Sequence, residues 1–227
     1  LLDLKTAGVW DSLDVLYVFA GDGDVGFRLI NWKNPGTNDL TSNGLNTTND
    51  AGISGGLNQY GNTNYNLSTD AVNYRTDYGQ IMFHLWNSGS SWLSATSMCG
   101  ARETSAVTNS QLMIHSTATD DILVRMQSYG NTIGSYTYPD ATAAPGYTGT
   151  FYFSRDNGTS ISAYRNNSPF ISSTGHQFFP TSINRDVYLF ATNTGGAATS
   201  TGGGETMSLR NQIHTAWNTY MTALGGL

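Results

Sequence analysis

For about two hundred residues the apolar positions recur in short alternating runs broken by Gly, Asn, Ser and Thr, and only then does a longer period set in. Positions 1–6 have a helical look with Gly8 as a stop. Positions 13–20, LDVLYVFA, are apolar on both alternating faces and read as a buried central strand. In 78–86, Ile81, Phe83 and Leu85 alternate with Met82, His84 and Trp86, the period of a half-buried strand. Further strands are expected at 111–116, 121–127, 186–191 and near 133–138. The clearest local unit is 150–165, where Asn157-Gly158 separates two β-rich runs and predicts a hairpin closed by a type I′ turn. Arg165 to Pro169 makes the next turn, and the Asn- and Gly-punctuated stretch 35–73 reads as an ordered loop with short strands. From 207 the period becomes helical. Leu209, Ile213, Ala216, Trp217, Tyr220, Met221 and Leu224 share one side, and Gly225-Gly226 supply a C-terminal stop.

Ten or so short strands at turn-separated intervals predict an all-β chain, folded as a two-sheet antiparallel sandwich. Without a composition shift or a fixed-period repeat, residues 1–227 read as one domain, with a short lead-in (1–9) and a C-terminal amphipathic helix (about 207–224). Hydrophobic residues make up 38% and aromatics 12%, enough for a core, whereas charged residues are only 11%. Solubility therefore rests on neutral polar groups. A net charge of −6 with scattered lysines and arginines argues against nucleic acid. No apolar run reaches the roughly 20 residues of a membrane span, and no secretory signal pattern is read. Cys99 stands alone, so no intrachain disulfide forms, and it reads as a small buried hydrophobe.

Four blocks, taken in order, resemble the concanavalin A-like, laminin G-like jelly-roll domain of bacteriophage virion proteins. The first is Trp10-Asp-Ser-Leu-Asp-Val-Leu-Tyr-Val-Phe-Ala20 with Leu29-Ile-Asn-Trp-Lys-Asn-Pro35. The second is Gly52-Ile-Ser-Gly-Gly-Leu-Asn-Gln-Tyr60 with Thr63-Asn-Tyr-Asn66, and the third is the hairpin through Asn166. The last is Val187-Tyr-Leu-Phe-Ala-Thr-Asn-Thr-Gly-Gly196 with the terminal Tyr220-Met-Thr-Ala-Leu-Gly225. The resemblance departs at Gly202-Gly-Gly-Glu-Thr-Met207, where family members carry a further strand. It implies a virion structural role.

Catalytic chemistry finds little support. A retaining glycosidase needs two carboxylates about 5–5.5 Å apart, but Glu103 and Glu205 lie far apart in the chain and Asp120-Asp121 would point to opposite faces of a strand. His84, His115, His176 and His214 are dispersed, with neither a nucleophile elbow nor metal-ligand spacing. Asp22-Gly-Asp24 reads as a turn rather than a calcium loop. No cofactor and no metal are expected. A sugar site needs aromatic faces beside amide and carboxylate groups. Trp86, Asn87 and Trp92 offer one such cluster; Tyr129, Asn131, Tyr136 and Tyr138 offer another.

The expectation is a non-enzymatic virion component on the particle exterior, assembled in the host bacterial cytoplasm. Head fibre, decoration and tail-associated protein all fit. Its partners would be copies of itself (a homotrimer favoured), other virion proteins and a cell-surface glycan. A secreted carbohydrate-binding module is the alternative, and a glycoside hydrolase the remote third.

Overall fold

A computed structural model describes residues 2–6, 8–19, 24–48, 52–56, 58–87, 97–103, 110–116, 121–129, 135–137, 149–166, 168–175, 182–195 and 207–209. Two short helices, α1 (Leu2–Thr6) and α2 (Val25–Leu29), precede the strands. In chain order these are β1 (Thr41–Asn43), β2 (Asn46–Thr48), β3 (Gly52–Gly55), β4 (Tyr60–Asn66) and β5 (Gly79–Asn87). There follow β6 (Ser97–Arg102), β7 (Ser110–Ser116), β8 (Asp121–Tyr129), β9 (Ser135–Thr137) and β10 (Gly149–Asn157). The last are β11 (Ser160–Arg165), β12 (Ser168–Ser173), β13 (Asp186–Leu189) and β14 (Met207–Leu209). They form two antiparallel sheets of seven strands each. The first runs β1-β4-β13-β6-β7-β8-β9 and the second β12-β11-β10-β5-β14-β3-β2. The chain is an all-β sandwich, as its alternating pattern predicts.

One apolar cluster fills the space between the sheets, with Met98, Ala101, Val124 and Met126 from the first facing Phe151, Phe153, Ile161 and Ala163 from the second. Phe83 stacks on Phe151 and Phe153 with ring centroids 5.6 Å away in each case, and Phe170 meets both edge-on. Burying each such side chain stabilises by about 1.5–3 kcal/mol. Into this apolar layer β10 also projects Arg155, only 1% exposed. Its guanidinium donates from Nη1 to the carbonyl of Met126 in the opposite sheet and from Nη2 to that of Gly158. Both terminal nitrogens of a buried cation thereby meet backbone dipoles, while its Nε is buried without a hydrogen-bond partner, and one side chain links the two layers. Pro169 lies in β12, an edge strand, where its missing N–H costs no interior ladder bond.

Three local expectations need correction. Residues 13–19 form no named strand, only an isolated bridge from Tyr17 to Asn31. Their two apolar faces serve two cores. Val15, Tyr17 and Phe19 pack on the main cluster, while Leu13 and Leu16 join Leu4, Trp10, Trp32 and Met82 in a second one. Met82 is the outward neighbour of core-facing Ile81 and Phe83, so the N-terminal segment straps the outside of the second sheet.

The hairpin exists, but its turn is centred one residue later than predicted. Asn157 pairs with Ser160, and neither Asn157 nor Gly158 is among the described residues with positive φ. Instead the Asn157 Oδ1 accepts from the backbone N–H of Thr159 (2.8 Å) and of Ser160 (2.9 Å), an Asx-type closure beside a register shift at Arg155/Asn157. Finally, 207–209 is not the first turn of a helix. It is β14, paired with β3 and β5 inside the second sheet, and it supplies the strand that the sequence pattern lacked before the terminal segment. The rest of the expected helix lies outside the described residues.

Two other expectations hold: residues 2–6 are helical and 35–73 carries short strands. Where a turn was expected at 21–26, Val25 and Gly26 instead begin α2, which Asp24 caps by accepting from Gly26 N–H at 2.7 Å. No described helix is long and apolar enough to cross a membrane.

Arg155→Ala should destabilise the fold by about 3 kcal/mol or more, since it opens a cavity and strands two carbonyls, and Arg155→Met should recover part of that loss. Denaturant midpoints of the two variants measure this. Cys99 is 5% exposed, and burial pushes its thiol from the ordinary 9.0 up to about 12. A raised pKa gives stability that is complete below the unfolded value and lost as pH climbs through the folded one. Stability should therefore fall from about pH 9 towards pH 12, and Cys99→Ala should delay the onset of that fall. Urea denaturation across that range checks it.

Candidate functional site

The inward and outward residues of the first sheet follow from strand alternation. In β4, Gly61, Thr63 and Tyr65 are buried, which turns Tyr60, Asn62 and Asn64 outward. In β13, Val187 is buried, so Asp186 and Tyr188 face out. Ala101 in β6, and Val124 and Met126 in β8, are buried in the core, which turns Arg102 and Arg125 to the same outer side. The register then aligns Thr41, Asn62, Tyr188, Gly100, Met113 and Arg125 as consecutive cross-strand positions from β1 to β8.

At one end of this row Tyr60 and Tyr188 stack with ring centroids 4.7 Å apart and planes 16° from parallel. Both remain half-exposed. Beside them Asn62 Nδ2 donates to Asp186 Oδ2 at 3.2 Å. Desolvation first, then the neighbouring Tyr60 and Asp186, hold the Tyr188 phenol above its ordinary value, so it stays a hydrogen-bond donor at neutral pH. An aromatic platform flanked by an amide and a carboxylate can stack on the apolar face of a pyranose and hydrogen-bond its hydroxyls.

The platform is braced from behind. Phe190 adopts φ 61° and reverses the chain after β13. Asn193 then wedges beside β6, accepting from Arg102 N–H at 2.8 Å, donating its own N–H to Gly100 O at 3.2 Å, and donating from Nδ2 to Asp186 O at 3.0 Å. Arg185 pairs with Glu103 at 3.4 Å and lies against Gly195, where any Cβ would collide with the guanidinium.

A second concavity lies at the edge where the N-terminal strap meets the loop after β4. It has a volume of about 460 Å³ and is lined by Asp14, Lys33, Asn34, Asn38, Asp70 and Asn73, among others. Two of its carboxylates, Asp14 and Asp70, are already engaged. Asp14 accepts from Tyr65 Oη (2.7 Å), Asn73 N (2.8 Å), Asn73 Nδ2 (3.0 Å), Tyr74 N (2.9 Å) and Val72 N (3.3 Å). Asp70 accepts from Asn66 N (2.8 Å) and Asn38 Nδ2 (3.3 Å). Asn31, the first residue of the Asn-Trp-Lys-Asn-Pro block, is equally occupied, accepting from Leu16 N (3.0 Å) and Lys33 N (3.1 Å) and donating to Thr37 O (2.9 Å). This chemistry ties loops to the sandwich.

Of the residues singled out from sequence, Trp86 and Asn87 end β5 in the second sheet, while Tyr129 ends β8 and Tyr136 lies in β9 of the first. Trp92, Asn131 and Tyr138 lie outside the described residues. Tyr136 is paired with Ile122, so the strand length separates it from Tyr129 by about 24 Å along β8. The described backbone does not bring these two together. The pair that does meet, Tyr60 and Tyr188, is remote in sequence and was legible only as two outward positions in alternating strands. The chemical criterion, aromatics beside amide and carboxylate, is met by other residues. Glu103 is held by Arg185, Glu205 lies outside the described residues, and no group of three or more His, Cys, Asp or Glu that could hold a metal occurs among the described residues.

No family model matches the chain, and no curated protein does. Solved structures do. A point mutant of HCR/D matches with TM-score 0.57 and 12% identity over 96% of this chain and 53% of its own. The receptor binding domain of botulinum neurotoxin D matches with TM-score 0.54 and 11% identity over 95% of this chain and 53% of that one. A second structure of the serotype D binding domain gives TM-score 0.54 and 10% identity, covering 94% and 52%. The likeness is one of fold. The chain spans about half the length of these structures.

Asp14→Ala should release the strap from the loop after β4 and cost about 2–3 kcal/mol, because it orphans several buried or half-buried donors. Thermal unfolding, with limited proteolysis at residues 66–74, checks both effects.

Proposed function

We propose that the chain is a non-enzymatic binding sandwich that holds glycan through the outer face of its first sheet, displayed on the exterior of a bacteriophage particle. The stacked, half-exposed Tyr60–Tyr188 pair beside Asn62 and Asp186 carries this reading. The ordered resemblance of the four sequence blocks supports the virion part. Head fibre, decoration or tail-associated positions suit it, assembly in the host cytoplasm precedes display, and self-association into a trimer suits weak single sites. Several copies on one particle convert poor affinity into useful avidity.

A non-catalytic role is supported by the carboxylates' occupations. Asp14 and Asp70 hold loops, and Glu103 faces Arg185. A second reading, a secreted carbohydrate-binding module, draws support from fold neighbours that include a receptor binding domain. Imaging of phage lysates with an antibody against the chain separates the two. Decorated particles favour the virion reading, and label found only in the soluble fraction favours the secreted module.

Binding itself is tested with a glycan array and titration calorimetry. Tyr188→Ala should weaken glycan binding about tenfold, the equivalent of ~1.4 kcal/mol, without a comparable change in melting temperature. Undiminished binding in that variant would contradict the assignment of the face.

A further inference from the structure

Asn-Gly occurs twice in the chain, at Asn43-Gly44 and at Asn157-Gly158. The pair is chemically labile because glycine has no Cβ to shield its backbone nitrogen, which can close on the preceding carboxamide. How fast it closes depends on how firmly the two groups are held, and the fold holds the two copies differently. At Asn157 the carboxamide is pinned. Its Oδ1 accepts from Thr159 N (2.8 Å), Ser160 N (2.9 Å) and Thr159 Oγ1 (3.0 Å), and Arg155 holds the Gly158 carbonyl. At Asn43 neither group is held. Asn43 is exposed and ends β1, a three-residue edge strand paired only with β4. Among the described residues its carboxamide has no hydrogen-bond partner, and the Gly44 N–H donates to none. Gly44 adopts φ 74° just beyond the end of the strand. Turning its nitrogen towards the Asn43 side chain therefore disturbs only the last pair of a short edge ladder, and such ends open at little cost.

We propose that Asn43 is a self-modification site set beside the tyrosine platform. The Gly44 nitrogen attacks Asn43 Cγ, and a new C–N bond closes a five-membered succinimide. The bond from Cγ to the side-chain nitrogen breaks, that nitrogen takes up the proton lost by Gly44, and ammonia departs. One water then adds to either imide carbonyl and opens the ring to aspartate or isoaspartate. Nothing is oxidised or reduced, and water is the only reactant consumed. The cross-strand partner of Asn43 is Tyr60, and directly opposed residues project on the same side with Cβ atoms about 4.5–5.5 Å apart. Either product thus sets a carboxylate next to Tyr60, on the face that already carries Asp186. One consequence rests on the glycan reading above: the altered face repels acidic saccharides and leaves neutral ones little affected.

The test ages the intact full chain at mildly alkaline pH, then digests it and maps the peptides by mass spectrometry. The Asn43 peptide should show the mass gain of an NH2-to-OH exchange about tenfold faster than the Asn157 peptide, and Asn43→Gln should abolish that gain. In urea the two sites should convert alike. Equal or faster conversion at Asn157 in the folded chain overturns the proposal, as does a difference that persists in urea, which would trace it to local sequence. Placement is read separately by NMR. Asn43→Asp should move the Tyr60 ring resonances, and an unmoved Tyr60 overturns the assignment of the site to the platform. In binding, Asn43→Asp should weaken acidic saccharides about threefold relative to their neutral parents, and equal effects on both contradict the stated consequence. If no saccharide binds, the glycan reading fails, while conversion at Asn43 stands or falls on the masses.

Discussion

A single guanidinium fastens one sheet of this sandwich to the other. Arg155 rises from β10 into an otherwise apolar layer and reaches the Met126 carbonyl of β8, while its second arm holds the Gly158 carbonyl in the turn of its own hairpin. Desolvating such a cation costs several kcal/mol, so its retention in the core requires partners of fixed position. The backbone carbonyls provide them. Once β8 and β10 are set at this spacing, the phenylalanine stack of Phe83, Phe151 and Phe153 has its register, and the outward side of β8, including Arg125, has its orientation.

The same logic of carboxylates and amides serving structure runs through the N-terminal third. Asp14, Asn31 and Asp39 each collect two or more backbone donors, and Asp70 takes the Asn66 N–H together with side-chain donors from Asn38 and Thr69, where the chain has no ladder to satisfy them. Asn38, Asn58, Asn64 and Asn166 take positive φ, the backbone setting for which Asn is the best residue after Gly. A composition rich in Asn and Gly is thus explained by loop construction.

Much of the fold was legible because alternation survives in a single sequence. The strand at 78–86 was legible from its period, with Ile81 and Phe83 packed on the core and Met82 turned outward, and strands also form at 111–116, within 121–129 and at 186–189. Segment 13–20 misled for a physical reason: its alternating side chains serve two separate cores, so it looks like a central strand while forming only one bridge. Strand β14 was hidden because three residues are too short to show a period, and its partners lie more than a hundred positions away. The site was less legible still. Tyr60 and Tyr188 become neighbours only through the β4–β13 pairing, which nothing local encodes, whereas Trp86 and Trp92 attracted notice by being close in sequence.

The central claim is that the outer face of the first sheet, at Tyr60 and Tyr188, is where this protein meets a saccharide. Tyrosine ring resonances of the isotope-labelled chain, followed by NMR during titration with an array-selected oligosaccharide, address it directly. The chain has 13 tyrosines, so the pattern of shifts discriminates. The expected result is that Tyr60 and Tyr188 move together and saturably while the rest stay still. Saturable shifts confined to Tyr129, Tyr136 or Tyr138 would contradict it.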